Sequence, residues 1–417
     1  MEDIRKYILG IAKRAKAVTY DVAARNTREK NAALETIADK LEGAADWIVE
    51  ENKKDMEYAV AAGKSQAMLD RLLLNGARVK TMAQAVRDIV ALPDPVGTGS
   101  FITRRPNGLQ LQRVRVPLGV VAMIFESRPN VTTDASALTL KSGNTVILRG
   151  GKESVHSNTA LASLIRDGLK QSGFPEDAVQ LIERTEHEVV DEMLQLKDYI
   201  DVVIPRGGEN LVRTVTEKSR IPVIFHDKGV CHVFVDRSAD RMKAERIVIN
   251  AKCQKPSVCN AIEKVLIHRD YPWKKELVQA LLDRKVDVIA DEKVRAYFPS
   301  LKAATEEDWS AEYLDYRITA GEVDSVSAAI DHINRYSSHH SDAIISEDYG
   351  SVQDFLRCVD SATVYANAST RFTDGGEFGM GAEVGISNQK LHVRGPMGLE
   401  GLTSEKWVIY GDGQIRE

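Results

Sequence analysis

Residues 116–126 read "VPLGVVAMIFE", a nearly continuous apolar run. That is the pattern of a strand buried on both faces of a parallel sheet. A helical segment follows and stops at Gly143, a natural helix C-cap, and "NTVILRGG" makes a second strand. The alternation then repeats. A helix over 153–171 leads to "AVQLI", one over 187–196 to "IDVVIPRGG", and one over 209–218 to "IPVIF". Strand–helix alternation of this kind predicts a doubly wound α/β domain. A second α/β series spans about 227–356 and includes "KKELVQALLDRKVDVIAD" and "VSAAIDHINRYSSHHSDAIIS". The first ninety residues are predicted helical: Ile4, Tyr7, Ile8, Ile11 and Ala15 fall at helical spacing, as do Leu34, Ile37, Ala38, Leu41 and Ile48. Two pieces fit neither series. Asn107-Gly108 marks a hairpin within 97–116, and a Gly-rich tail from about 380 ends in the strand-like "KWVIYG". They read as arms that pack on another subunit.

With 417 residues the chain is expected to hold two or three domains. A net charge of -5 without a sustained basic tract argues against nucleic acid or an anionic membrane as partner. The N-terminal apolar patch is short and flanked by charge, and no later run approaches a membrane span, so neither a secretory signal nor an anchor is expected. The 4 cysteines are unevenly spaced and make no disulfide framework. The expectation is a reduced, cytoplasmic protein.

Cys259 stands out in "KPSVCNA", on a turn that Pro256 and Ser257 create between a helix ending near Lys252 and the apolar "IEKVLIH". A thiol on such a turn is exposed to a cleft and can gain thiolate character from helix N-termini, whereas a small buried hydrophobe is the commoner role for a cysteine. Cys253, on the last turn of the preceding helix, is expected to pack. The pair at this spacing, without matching His or Cys, is not a zinc site, so no metal is expected. "RGGKES" (149–154) and "PRGGEN" (205–210) each end a strand and open a helix. Their backbone amides can hold phosphate, or their glycines can serve two tight turns. "FESRPNVTTDAS" (125–136) lies at the carboxyl end of the buried strand, where open α/β sheets place ligands. Asn130, Ser127, Thr132 and Thr133 there are either ligand donors or helix caps. The five-glycine loop "NASTRFTDGGEFGMGAEVGIS" (367–387) can approach a ligand closely or merely connect.

Taken together, "MIFESRPNVTTDASALTLKSGNTVILRGGKES", "AKCQKPSVCNAIE", the 367–387 loop and "HVRGPMGLEGLTSEKW" resemble the γ-glutamyl phosphate reductases, a branch of the aldehyde dehydrogenase superfamily. The resemblance spans essentially the whole chain. It implies an aldehyde-dehydrogenase-like fold: two doubly wound α/β domains plus a small β oligomerisation arm. Residues 1–96 would be the helical part of the cofactor domain, 97–114 the hairpin of the arm, 115–226 the NADPH-binding domain and 227–356 the catalytic domain. Residues 357–379 would return to the cofactor domain with the substrate loop, and 380–417 would form the oligomerisation tail.

The implied chemistry is NADPH-dependent reduction of L-glutamyl 5-phosphate through a thioester on Cys259, with Asn130 as oxyanion donor. Arg149, Gly150, Gly151, Lys152, Gly207 and Gly208 are the implied cofactor residues, with Glu312 in "DWSAEYLDY" either at the nicotinamide ribose or a surface glutamate. Ser127, Arg128, Arg371, Phe378 and Gly379 are the implied substrate residues. Lys152 falls where oxidising relatives carry a ribose-binding glutamate, and a cation suits a 2'-phosphate. The hydrolytic glutamate of those relatives aligns with His226 in "IFHDKGV" (224–230), with Asp227 the nearest carboxylate. Its absence favours reduction over a conventional aldehyde dehydrogenase that hydrolyses its thioester. The resemblance also implies a homo-oligomer, dimer or tetramer. The short life of an acyl phosphate in water makes a transient complex with glutamate 5-kinase chemically sensible.

Overall fold

The computed structural model describes residues 2–225 and 228–416. The chain divides into two compact units: one runs to Phe225 and adds Gly379–Gly385 and the segment from Met397; the other is His226–Phe378 with Ile386–Pro396.

The first unit opens with six helices, the earliest being Glu2–Ala17 and the last Gly76–Ala91. Helix Thr27–Gly43 begins in a reciprocal capping box. The Asn26 side chain accepts from Glu29 N at 3.0 Å, and Asn26 N donates to Glu29 Oε2 at 2.9 Å. Its buried stripe of Leu34, Ile37, Ala38 and Leu41 is the one the periodicity predicts. It packs on helix Val155–Gln171, and closely: a side-chain Cβ at Gly168 would stand 2.8 Å from Ile37 Cγ1.

A hairpin follows, β1 (Thr103–Arg104) and β2 (Gln110–Pro117). Then come β3 (Val120–Phe125), β4 (Thr145–Arg149), β5 (Val179–Leu181) and β6 (Val202–Arg206). These last four form a parallel sheet in the order β5-β4-β3-β6. Every residue of β3 is buried, as a central strand covered on both faces must be. Helix 187–196 of the sequence reading ends earlier, at Met193. "IPVIF" is not a strand; it meets β6 only through the bridge Val203–Val223, because Pro222 has no N–H to extend a ladder.

The second unit is built on seven parallel strands: β7 (Cys231–Val235), β8 (Ile262–His268), β9 (Asp287–Ala290), β10 (Lys302–Ala303), β11 (Arg317–Val323), β12 (Ser341–Ile345) and β13 (Thr363–Ala366). Their order is β10-β9-β11-β8-β7-β12-β13. Here the structure departs from the sequence reading. Residues 357–378 do not return to the first unit; β13 pairs in parallel with β12 and forms an edge of this sheet. The tail also divides. Ile386–Ser387 (β14) and Gly395–Pro396 (β15) pair within the second unit, whereas β16 (Thr403–Tyr410) pairs along its whole length with β2 in the first. Trp407, Ile409 and Tyr410 on β16 are exposed.

Candidate active site

In the second unit, Cys259 sits half-buried on the turn between helix Arg241–Cys253 and β8. Its neighbours are fixed by hydrogen bonds. Asn260 Nδ2 donates to the Thr373 carbonyl at 2.8 Å, and the Asn260 carbonyl accepts from Thr370 Oγ1 at 2.7 Å. The Arg371 guanidinium donates to Asn260 Oδ1 through Nη1 and to Gln254 Oε1 through Nε at 2.9 Å. Partial burial pulls the Arg371 pKa down, and its electrostatic interaction with Cys259 is the first of those that pull it back. The arginine and the thiol therefore share one electrostatic neighbourhood.

Behind the turn, the buried Cys231 thiol donates to the Cys259 carbonyl at 3.2 Å. Burial raises its pKa, so it remains a protonated donor. Gly229 lies against the same peptide: a Cβ there would stand 2.1 Å from the Cys259 carbonyl oxygen. The Gly229 amide donates to Glu312 Oε1 at 2.8 Å. Cys253 packs partly against the core, as its helical position predicts, and also lines a cleft of about 910 Å³ with Arg246, Asn250, Gln254, Ser369 and Phe372. Phe378, 41% exposed, follows a turn built on Asp374, whose carboxylate accepts from Gly376 N at 2.9 Å.

In the first unit, the segment after β3 turns sharply at Ser127, a non-glycine residue with φ 47°. The turn is held by Glu153, whose Oε1 accepts from Ser127 N at 2.9 Å and from Ser127 Oγ at 2.6 Å. The Ser127 hydroxyl proton is thereby spent. Asn130 is the first residue of helix Asn130–Lys141 but does not cap it; its Nδ2 donates to Asp134 Oδ2 at 2.8 Å. Burial raises the Asp134 pKa to about 6. Thr132 Oγ1 donates to Asn158 at 3.0 Å, and the Thr133 hydroxyl, buried in the same turn, has no partner among the described residues. Arg128 is half-exposed.

The first glycine loop is shaped by its own side chains. A Cβ at Gly150 would meet Asn158 Nδ2 at 2.0 Å, and one at Gly151 would meet Glu153 Oε1 at 2.2 Å. Arg149 is buried and donates to the Gly150 and Thr185 carbonyls, both at 2.9 Å. Asp55 closes the start of helix Val155–Gln171, accepting from His156 N at 3.1 Å and from Ser157 N at 2.8 Å. Lys152 alone projects from this loop, exposed and paired with no carboxylate among the described residues. In the second loop, Gly208 N donates to Glu126 Oε2 at 3.0 Å, and a Cβ at Gly207 would stand 2.6 Å from that same oxygen. Gly379 adopts φ 75°, which glycine tolerates freely.

The sequence reading missed Glu126, Glu153, Asp134, Cys231, Glu263 and Lys264. The last two interrupt an apolar strand, a local signal that was readable. Among the described residues no group of three or more His, Cys, Asp or Glu side chains could hold a metal ion, and no helix is long and apolar enough to cross a membrane. His226 and Asp227, aligned with the hydrolytic base, lie outside the described residues.

One α/β unit carries a cysteine on a helix-to-strand turn, the other a glycine loop with an exposed lysine, and comparison with known proteins accounts for both. The aldehyde dehydrogenase family model matches residues 5–296, and the chain belongs to that family. The γ-glutamyl phosphate reductase of Petrotoga mobilis is 50% identical over 99% of this chain and 100% of its own length, and that of Halalkalibacterium halodurans is 51% identical over 97% and 98%. The crystal structure of the γ-glutamyl phosphate reductase of Thermotoga maritima is 44% identical and covers 98% of this chain and 100% of its own, with a TM-score of 0.96. Within its family the chain is a member of the γ-glutamyl phosphate reductase group. An acetylating aldehyde dehydrogenase of Geobacillus thermoglucosidasius, 15% identical over 100% of this chain and 98% of its own, shares the fold with a TM-score of 0.69.

Proposed function

We propose that this chain reduces L-glutamyl 5-phosphate to L-glutamate 5-semialdehyde, releasing phosphate, in proline biosynthesis, with Cys259 as nucleophile and NADPH as hydride donor. The observation that carries the reading is the Cys259 turn: a thiol held half-exposed by fixed neighbours, with Arg371 in its electrostatic range.

The Cys259 sulfur forms a bond to the acyl carbon, and the bond from that carbon to the phosphate oxygen breaks with its electron pair on phosphate. The developing oxyanion is stabilised by the Cys259 amide and by the Asn130 N–H that Asp134 leaves unused. When bound, the nicotinamide supplies a hydride to the acyl carbon of the thioester. Cys259 then departs as thiolate, leaving the aldehyde. Arg371 or Arg128 pairs with the substrate's carboxylate or phosphate, since a planar guanidinium suits both. Ser127 enters this set only as an acceptor or through its backbone, and Phe378 and Gly379 complete it. Lys152 fits a cofactor bearing a 2'-phosphate, because it is the uncommitted cation of its loop. Arg149, Gly150, Gly151, Gly207 and Gly208 shape the two loops, and Glu312 is assigned to the nicotinamide ribose. A homo-oligomer in the cytoplasm, formed through the hairpin and β16, accords with the exposed Trp407, Ile409 and Tyr410.

The test runs the reaction in reverse, from glutamate semialdehyde, NADP+ and inorganic phosphate. Turnover is expected to need phosphate, to vanish in Cys259→Ala and to persist in Cys253→Ala. NADPH formation that is equally fast without phosphate would instead identify a hydrolysing aldehyde dehydrogenase.

A further inference from the structure

We propose that Glu263 is a positioning residue for Cys259, acting through a buried ionic staple that closes the base of the nucleophile turn; this rests on Cys259 being the nucleophile. Glu263 follows Cys259 by four residues, at the start of β8, and Lys252 precedes it by seven, on the last helical turn. Their side chains are both 0% exposed, and Lys252 Nζ stands 3.0 Å from Glu263 Oε2. One ion pair thus joins the two stems of the turn on which Cys259 sits.

The second Glu263 oxygen is used as well. Oε1 accepts from Leu314 N at 3.2 Å, while the adjacent Lys264 reaches the same segment, donating to the Ala311 carbonyl at 2.7 Å. Residues 311–314 are therefore held at both ends by neighbouring side chains of β8. Between those two anchors lies Glu312, whose carboxylate takes the Gly229 amide, and Gly229 is the residue pressed against the Cys259 peptide. The staple fixes the turn from below, and the 311–314 segment fixes it from behind.

Stability alone does not account for three buried ionisable side chains here. A buried ion pair is generally no more stabilising than well-packed apolar side chains of similar size, whereas removing one partner is strongly destabilising. What the pair supplies and an apolar pair does not is direction: two carboxylate oxygens that tie three chain segments at fixed angles.

The test compares Glu263→Gln, Lys264→Met and the charge-free double variant Lys252→Met/Glu263→Leu with wild type in the reverse assay. Melting temperature and the rate of Cys259 alkylation by limiting iodoacetamide across pH are measured alongside. Mass spectrometry assigns each labelled cysteine, and exposed Cys358 serves as internal reference. We expect the double variant to melt within a few degrees of wild type yet to lose at least tenfold in kcat. Its KM for phosphate should stay within twofold, and its Cys259 alkylation profile should shift while that of Cys358 does not. Glu263→Gln and Lys264→Met, where folded, should lose kcat in the same way. Recovery of wild-type kcat and alkylation in the double variant would overturn the proposal, because the staple would then be packing alone. Full activity in Cys259→Ala would instead remove the nucleophile assignment itself, whatever the Glu263 variants do.

Discussion

Asn130 Nδ2 donates to Asp134 Oδ2 at 2.8 Å, one turn further along the same helix. The carboxylate fixes which face of the amide is N–H and leaves the second hydrogen for the oxyanion role proposed for Asn130. Replacing Asp134 by Leu should lower kcat about tenfold, less than the hundredfold or more that losing an oxyanion donor outright typically costs. Because burial raises the Asp134 pKa to about 6, it accepts from Asn130 above that pH and is protonated below it. The kcat profile should therefore fall as pH drops through about 6, and Asp134→Asn should flatten that limb. A limb that persists unchanged in Asp134→Asn would assign it to another group.

Gly229→Ala places a methyl group 2.1 Å from the Cys259 carbonyl oxygen, on backbone that cannot rotate away. Forcing atoms into a packed site costs about 1–3 kcal/mol. Thermal denaturation should register that loss, and the reverse assay should show kcat falling further than stability does, since the displaced atoms belong to the peptide of the proposed nucleophile.

Lys152→Glu reverses the charge of the exposed residue in the 149–154 loop. Losing a charge-assisted contact costs about 1.5–3 kcal/mol, so KM for NADP+ should rise by roughly ten- to a hundredfold while KM for NAD+ holds or falls. Initial rates with the two cofactors decide it. An equal change for both would place Lys152 away from the 2'-phosphate.

His332 is packed between Trp309 and Tyr336, with ring centroids 4.7 Å and 4.6 Å away, and burial lowers its pKa to about 3. The unfolded chain takes up a proton there near pH 6.5, and the folded one only near pH 3. Stability present at neutral pH is consequently lost as pH falls through that window. At pH 4 the loss relative to His332→Phe should be about 1–3 kcal/mol, allowing for partial exposure. Denaturant melts of both proteins between pH 4 and 7 measure it.

Much of this was legible in the chain. The run ending at Phe125 announced a central strand because every one of its residues is apolar, and the polar residues after it fall at the strand's carboxyl end. Cys259 was readable from its turn, since proline and a short polar segment cannot continue a helix. The edge strand β13 was not readable, because its four residues are only partly buried and carry the weak pattern that edges do. "IPVIF" misled for the opposite reason: it is apolar and β-branched, yet one proline denies it a ladder. Glu263 and Lys264 stood in plain view as charges interrupting an apolar strand, whereas Lys252 was hidden by the general expectation that charges lie outside. Only tertiary structure shows which partners neutralise them. The tail divided between units for a reason no local pattern holds, since register with β2 and pairing of β14 with β15 are both long-range choices.

Asp55, on helix Ala45–Ala61, supplies the acceptor for the first amides of the helix that follows the 149–154 loop. The N-terminal helical layer is thus no detachable cover for a self-sufficient α/β fragment. A shortened protein starting at the first sheet would present that loop on a helix whose first amides have lost the Asp55 acceptor. Grafting this half onto another catalytic unit would require the first helices to travel with it.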